Sequence, residues 1–342
     1  MQREWTPPSH WIKITTIDAH TEGEPLRIIT GGFPALPGKT ILEKRQYVKQ
    51  EYDHLRKALI WEPRGHADMY GCLLTEPVTQ DGTVGVIFFH NEGYSTMCGH
   101  GIIALSTVLV ETGFIEAEKA ASELNIDTPA GRVMATAHLR EGKVNKVSFV
   151  NVPSFVYLTD QKVDVPGIGP VTYDIAFGGA FYAFCRADEL GLELDPEDNR
   201  KLIDFGLRIK RAIIAESEIR HPTEGELGFL YGTIFTGPAR DPSHHSRNVC
   251  VFAEGEIDRS PTGTGVSARA ALHYARGDIG IDQPFVVESI LGTCFTGRVL
   301  APTRFGPHEA VIPEITGTAH ITGRSEFLLD PDDPLKYGFF LR

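Results

Sequence analysis

The sequence predicts an α/β protein made of two similar halves, each a set of short strands around a central helix. Three observations carry that prediction. The chain has 342 residues, 42% of them hydrophobic and 23% charged, which is ordinary globular material and enough for about two domains. Short β-branched and aromatic runs recur between Gly and Pro punctuation. A glycine turn leading into a helix occurs twice, 164 residues apart.

The strand-like runs, in order, are Trp11–Ile17, Leu26–Thr30, Val84–Phe89, Val144–Val150, Ala180–Cys185, Gly232–Phe235 and Val249–Ala253. Two surface helices fall between them. Lys39–Leu59 has mixed charge and apolar spacing. Pro196–Glu216 opens on Asp195-Pro196, a cap residue followed by Pro at the first helical position, and sets Leu202, Phe205, Ile209 and Ile213 on one stripe. No low-complexity tract divides the chain. Asp164–Asp174, with its Val-Pro-Gly-Ile-Gly-Pro, is the best crossing point between halves.

The repeat aligns Cys98-Gly-His-Gly-Ile-Ile-Ala with Thr262-Gly-Thr-Gly-Val-Ser-Ala and extends to Gly113 and Gly277, each expected to end its helix. The first of these helices, Ile102–Val110, is apolar nearly all round, so it is expected inside its half. Each copy also contains Gly-x-Gly-x-x-Ala, nominally a dinucleotide fingerprint. That fingerprint needs a strand running directly into the turn, and eight residues separate Phe89 from Cys98. What survives is that exposed N–H groups and the helix dipole make each turn an anion site. If the two turns face each other, one small carboxylate fits between them.

The net charge of −12 argues against a nucleic-acid partner. The longest uncharged apolar stretch, Gly101–Val110, is about half of what a membrane span needs. Met1–His20 carries scattered charges and no apolar core, so no secretory signal is expected. Five cysteines at 72, 98, 185, 250 and 294 are odd in number and loosely spaced, which does not read as a disulfide framework. A reduced, cytoplasmic enzyme is the expectation.

Cys98 stands apart because it precedes a helix start, which lowers a thiol pKa from about 8.5 towards neutrality. The other four cysteines read as core residues. His100 is placed to pair with the thiol, to bind substrate, or to cap. Asp258 reads either as a loop carboxylate or as the partner of a ligand ammonium. Asp18, His20 and Glu24, and His66 and Asp68, form polar clusters beside strand ends that read either as support for the site or as partners of loop backbone, and His90 has no assigned role. No His-Glu-x-x-His, Cys-x-x-Cys or Walker pattern occurs, so neither a metal nor a nucleoside triphosphate is expected.

At Met97-Cys-Gly-His-Gly and Asp258-Arg-Ser-Pro-Thr-Gly-Thr-Gly the sequence closely resembles the proline racemase family. The resemblance continues at His20-Thr-Glu-Gly-Glu-Pro, Glu62-Pro-Arg-Gly-His-Ala-Asp-Met, Phe177-Gly-Gly-Ala-Phe-Tyr-Ala, Arg247-Asn-Val-Cys-Val-Phe and Ile315-Thr-Gly-Thr-Ala-His-Ile-Thr-Gly. It implies a diaminopimelate-epimerase-like fold of two pseudo-symmetric domains, each a mixed β-barrel-like sheet around a central helix, with the site between them. The expected division is 1–160 with 318–342 returning to it, and 161–317. The resemblance also implies a homodimer and no cofactor.

Racemases and epimerases of that family oppose two cysteines, one on each face of Cα. Here Cys98 is present and Thr262 stands in the second place. A threonine hydroxyl is a poor base and an unmatched acid, so two-base racemisation should be lost. The Cys-plus-Thr pattern resembles the branch that dehydrates trans-3-hydroxy-L-proline. By the same carry-over, Gly99, His100, Gly263 and Thr264 hold the substrate carboxylate and ring, and Asp258 takes the ring ammonium. The alternatives are a proline or hydroxyproline racemase or epimerase, a cysteine hydrolase with Cys98 as nucleophile, and a non-catalytic amino-acid-binding module.

Overall fold

A computed structural model describes residues 5–116 and 123–341. The first half contains β1 (Ile12–Thr21), β2 (Glu24–Gly31), α1 (Ile41–Glu51), α2 (Asp53–Ile60), β3 (Tyr70–Thr75), β4 (Val84–His90), α3 (Gly99–Glu111), β5 (Leu124–Thr128), β6 (Gly131–Arg140) and β7 (Lys143–Val150). The second contains β8 (Ser154–Val165), β9 (Gly169–Phe177), β10 (Phe181–Arg186), α4 (Asn199–Glu216), β11 (Leu230–Gly237), β12 (Ser246–Phe252), β13 (Glu256–Ile257), α5 (Gly263–Arg276), β14 (Phe285–Glu288), β15 (Cys294–Phe305) and β16 (His308–Gly317). A final strand, β17 (Ala319–Leu329), continues from β16 and pairs with β1.

The pairing scheme is the same in both halves. In the order β17–β1–β2–β3–β4–β5–β6–β7, only the β2–β3 and β4–β5 neighbours are parallel. In the order β8–β9–β10–β11–β12–β14–β15–β16, only β10–β11 and β12–β14 are parallel, at the same places in the series. Each parallel pair is bridged by helix: α1 and α2, then α3, in the first half; α4, then α5, in the second. The second ring closes where β16 pairs with β8. The first closes through β7, which pairs with the end of β16 just before that strand runs into β17. Closure leaves few free sheet edges to protect.

The two repeated helices thread the rings. α3 packs against β1, β6, β7 and β17, and α5 against their counterparts β9, β15, β16 and β8. Ile102, Ile103, Ala104 and Leu105 have no exposed surface, as an all-round apolar helix requires. Truncating one of these Ile or Leu side chains to Ala would cost about 2–5 kcal/mol. One hydrophobic core runs through both helices, from Val108 and Phe149 to Val266 and Phe295. Outside it, α1 and α2 cover the first ring through Ile41, Val48, Leu55 and Leu59, and α4 covers the second through Leu202, Ile209 and Ile213.

Three local expectations change. The helix expected over 39–59 breaks at Tyr52 (φ −126°, ψ 15°). Its apolar spacing runs through the break, and the cause is tertiary: the Tyr52 ring is held among Phe33, Tyr47 and His54. Asp195 does not cap α4. Its carboxylate bonds Arg240 and Arg247 instead, Pro196–Asp198 forms one 3-10 turn, and the α-helix starts at Asn199. Asp164–Asp174, the expected crossing, belongs to the arms and turn of the β8–β9 hairpin.

Candidate active site

The starts of α3 and α5 meet end to end. A Cβ placed on Gly99 would lie 2.6 Å from Gly263 Cα, and one placed on Gly263 would lie 2.7 Å from Gly99 Cα. No side chain fits at either position, which is why both turns carry glycine there. The two positive helix ends therefore point at one small volume from opposite sides. Cys98, Gly99, His100, Asp258, Thr262, Gly263 and Thr264, all seven expected site residues, line that single cavity.

Cys98 is the N-cap of α3, with extended backbone (φ −143°, ψ 109°), and its Sγ accepts the Gly101 N–H at 3.2 Å. His100 Nδ1 lies 3.2 Å from the same sulfur. Burial pushes the His100 pKa down to about 3, so its imidazole is neutral. The expectation that the helix start would bring the Cys98 thiol towards neutrality is corrected here. Burial raises the thiol well above its ordinary value, Asp258 and Glu24 add to the rise, and the Gly101 N–H and the Tyr70 hydroxyl only oppose it. A sulfur sealed from water beside carboxylates loses more than one helix end returns.

Thr262 holds the equivalent place on α5 with a different backbone. Its φ of 68° is in the left-handed region, strained for a β-branched residue, and its side chain makes no capping bond. Thr262 Oγ1 is buried without a hydrogen-bond partner, while its N–H donates to Ser260 Oγ at 3.1 Å. Thr264 Oγ1 bonds the Tyr182 hydroxyl at 2.7 Å. Asp258 is 6% exposed, and its Oδ1 accepts the Ser260 N–H at 2.8 Å. Burial raises its carboxyl pKa, with Ser260 opposing. A cation entering the cavity would relieve both this carboxylate and the thiol beside it.

The remaining polar clusters lie outside the cavity wall. Glu24 reaches across from β2 and accepts from the Arg259 N–H at 2.8 Å and its Nε at 3.0 Å, holding the loop that carries Asp258. Asp68 takes part through its carbonyl, which accepts from Arg259 at 2.7 Å. Arg27 bonds Asp18 at 2.8 Å and the Leu59 carbonyl. His90 meets buried Glu256 at 3.3 Å. His20 accepts the Gly23 N–H at 3.1 Å, and His66 is exposed beside the Ala67 carbonyl.

Sequence reasoning missed other residues of the wall, namely Tyr70, Tyr182, Tyr231, Phe252 and Cys250. Cys250, which reads in the sequence as a core residue, is fully buried and faces the cavity as well. Cys72 and Cys185 are buried, and Cys294 is half-buried. Among the described residues no group of three or more His, Cys, Asp or Glu is arranged to hold a metal ion. No helix among them is long and apolar enough to cross a membrane. The cavity measures about 20 Å³, room for about one water molecule. A five-membered imino acid is larger, so the walls must part to admit it.

A proline racemase family model matches residues 16–340. The chain belongs to the proline racemase family. It is 50% identical to a trans-3-hydroxy-L-proline dehydratase of Colwellia psychrerythraea over 342 residues, covering 99% of this chain and 96% of that protein. It is 46% identical to a 3-hydroxyproline 2-epimerase of Burkholderia multivorans over 329 residues, 96% of this chain and 98% of that one. Among solved structures, a hydroxyproline epimerase from Agrobacterium vitis with bound trans-4-hydroxy-L-proline matches with a TM-score of 0.92 at 31% identity. That match covers 98% of this chain and 96% of that one. The expected fold is therefore the family's, and the cavity occupies the meeting point of its two repeated helices.

Proposed function

We propose that this protein is a trans-3-hydroxy-L-proline dehydratase, with Cys98 as the base. The observation that carries the reading is the pair of unlike residues at the two helix starts, a thiol at 98 and a hydroxyl at 262. The dehydratase of Colwellia psychrerythraea, similar over nearly the whole chain, supports it.

The carboxylate binds between the N–H groups at Gly99/His100 and Gly263/Thr264, and the ring ammonium faces Asp258. The bound cation lowers the cost of a thiolate at Cys98, and the paired N–H donors stabilise the charge that develops as Cα loses its proton. In the trans isomer the Cα hydrogen and the 3-hydroxyl share a ring face. One thiolate on that face takes the hydrogen, the hydroxide departs by syn elimination, and the enamine tautomerises to Δ1-pyrroline-2-carboxylate. Thr262 positions substrate and carries no proton. The half that carries Cys98, with β17 returning to it, and the half that carries Asp258 and Thr262 are the two bodies that separate to admit substrate and close to exclude water.

The second reading is a hydroxyproline epimerase, which the Burkholderia multivorans relative favours. It requires an acid on the face opposite Cys98, where Thr262 stands. Incubation with trans-3-hydroxy-L-proline, L-proline and 4-hydroxyproline in parallel separates the two. The dehydratase reading expects loss of one water by mass from the first alone, and inversion without water loss would overturn it.

A further inference from the structure

The elimination needs a proton for the departing hydroxide, and a donor other than the Cys98 thiol leaves the base free to hold the proton it takes from Cα. The candidates stand where β3 and β11 wall the cavity. Three hydroxyls stand there. Tyr70 on β3 is hydrogen-bonded to Ser95 Oγ, and Ser95 Oγ is hydrogen-bonded to the Tyr231 hydroxyl on β11 at 2.9 Å. The two tyrosine oxygens face each other at 3.4 Å, a much weaker contact. Both tyrosines line the cavity, whereas Ser95 is fully buried behind them. The Tyr70 ring also packs edge-on against His100 at 4.7 Å, beside the thiol.

Resting on the dehydratase reading, we propose that Tyr231 is the acid that protonates the leaving 3-hydroxyl. Ser95 and Tyr70 form the relay that refills it from Cys98. A ring of three hydroxyls has three protons for three contacts, so an oxygen entering at its weakest edge, between the tyrosines, is offered a hydrogen bond. The Cα–H electron pair becomes the Cα=C3 π bond as Cys98 Sγ takes the proton. The C3–O bond then breaks, and its oxygen takes the Tyr231 proton and leaves as water. Ser95 donates to Tyr231, Tyr70 to Ser95, and the Cys98 thiol to Tyr70. The thiolate is restored, and the proton taken from Cα balances the one carried off in water.

Two features fit this circuit. Burial raises both tyrosines well above their ordinary range, so each holds its proton at rest. Tyr70 and Cys98 line the same cavity, and the Tyr70 ring lies against His100, whose Nδ1 is 3.2 Å from the Cys98 sulfur, so phenol and thiol stand side by side at the start of the relay.

The test compares water loss with exchange of the Cα hydrogen of unreacted trans-3-hydroxy-L-proline in D2O. Tyr231→Phe keeps the ring, which stacks on Phe252 at 5.4 Å, and removes only the hydroxyl. Water loss should fall about 10²-fold, and the ratio of exchange to water loss should rise at least about tenfold, because the base still works while the acid does not. Ser95→Ala, which touches nothing in the cavity, should shift the ratio the same way, and Ser95→Thr should restore it. A ratio that fails to rise in both Tyr231→Phe and Ser95→Ala overturns the relay. Absence of water loss by the unaltered protein would instead overturn the dehydratase reading itself.

Discussion

Gly263→Ala perturbs the site at its tightest point. The added Cβ would sit 2.7 Å from Gly99 Cα, about 0.7 Å inside the 3.4 Å at which ordinary van der Waals contact begins. The obstacle is backbone, so no side chain can swing away; the starts of α3 and α5 must move apart by about that distance. Overpacking of this kind costs about 1–3 kcal/mol. The helix preference of Ala over Gly returns at most about 1 kcal/mol, so the net effect is destabilising. The effect on turnover should be larger, since both carboxylate-binding turns shift together and a displacement near 1 Å costs about 10²-fold. The assay pairs steady-state water loss from trans-3-hydroxy-L-proline with the guanidinium midpoint. Gly225→Ala, where an added Cβ meets nothing within 4 Å, is the control and should change neither. Full turnover by Gly263→Ala with an unchanged midpoint would refute the end-to-end packing.

Three further outcomes are expected. Cys98→Ser retains an oxygen able to accept the Gly101 N–H, so melting should hold while water loss falls by at least about 10³-fold; residual turnover above that would remove Cys98 from the base role. Asp258 raises the Cys98 thiol, so the kcat/KM profile should climb with rising pH as the thiolate forms. Asp258→Asn should move that climb to lower pH while raising KM; a shift to higher pH would contradict the assignment. Arg259→Ala leaves Glu24 buried without its cation and should cost about 3 kcal/mol by denaturant midpoint. The folded-state pKa of Glu24, already raised by burial, then rises further, so the loss should deepen as pH climbs above the ordinary carboxylate range; a pH-independent loss would argue against it.

What the sequence made legible is what local chemistry controls. The paired glycine turns were readable because a helix start tight enough to touch another tolerates no Cβ, so the requirement is written in residue type at both places. α3 was readable because burial on every side demands apolar residues on every side. Strands β15, β16 and β17 were not, since rings around a helix leave outer faces wet; β17 in particular is mostly exposed, with His320, Arg324 and Glu326 along it. Tyr70, Ser95 and Tyr231 were hidden for another reason. Each reads alone as an ordinary core or loop residue, and only the meeting of the two halves brings residue 231 to residue 95. The state of the Cys98 thiol was misjudged because a helix dipole is visible in sequence, whereas burial beside Asp258 and Glu24 is not.

One sulfur base facing a hydroxyl that is too weak an acid to reprotonate Cα from the opposite face should strip water and leave Cα uninverted. The direct measurement is the fate of trans-3-hydroxy-L-proline in D2O with the unaltered protein, followed by mass and by chiral separation. The account predicts Δ1-pyrroline-2-carboxylate, its ring hydroxyl gone and solvent deuterium at C3, and no cis-3-hydroxy-D-proline. Accumulation of that 2-epimer, deuterated at Cα with its hydroxyl in place, would contradict it.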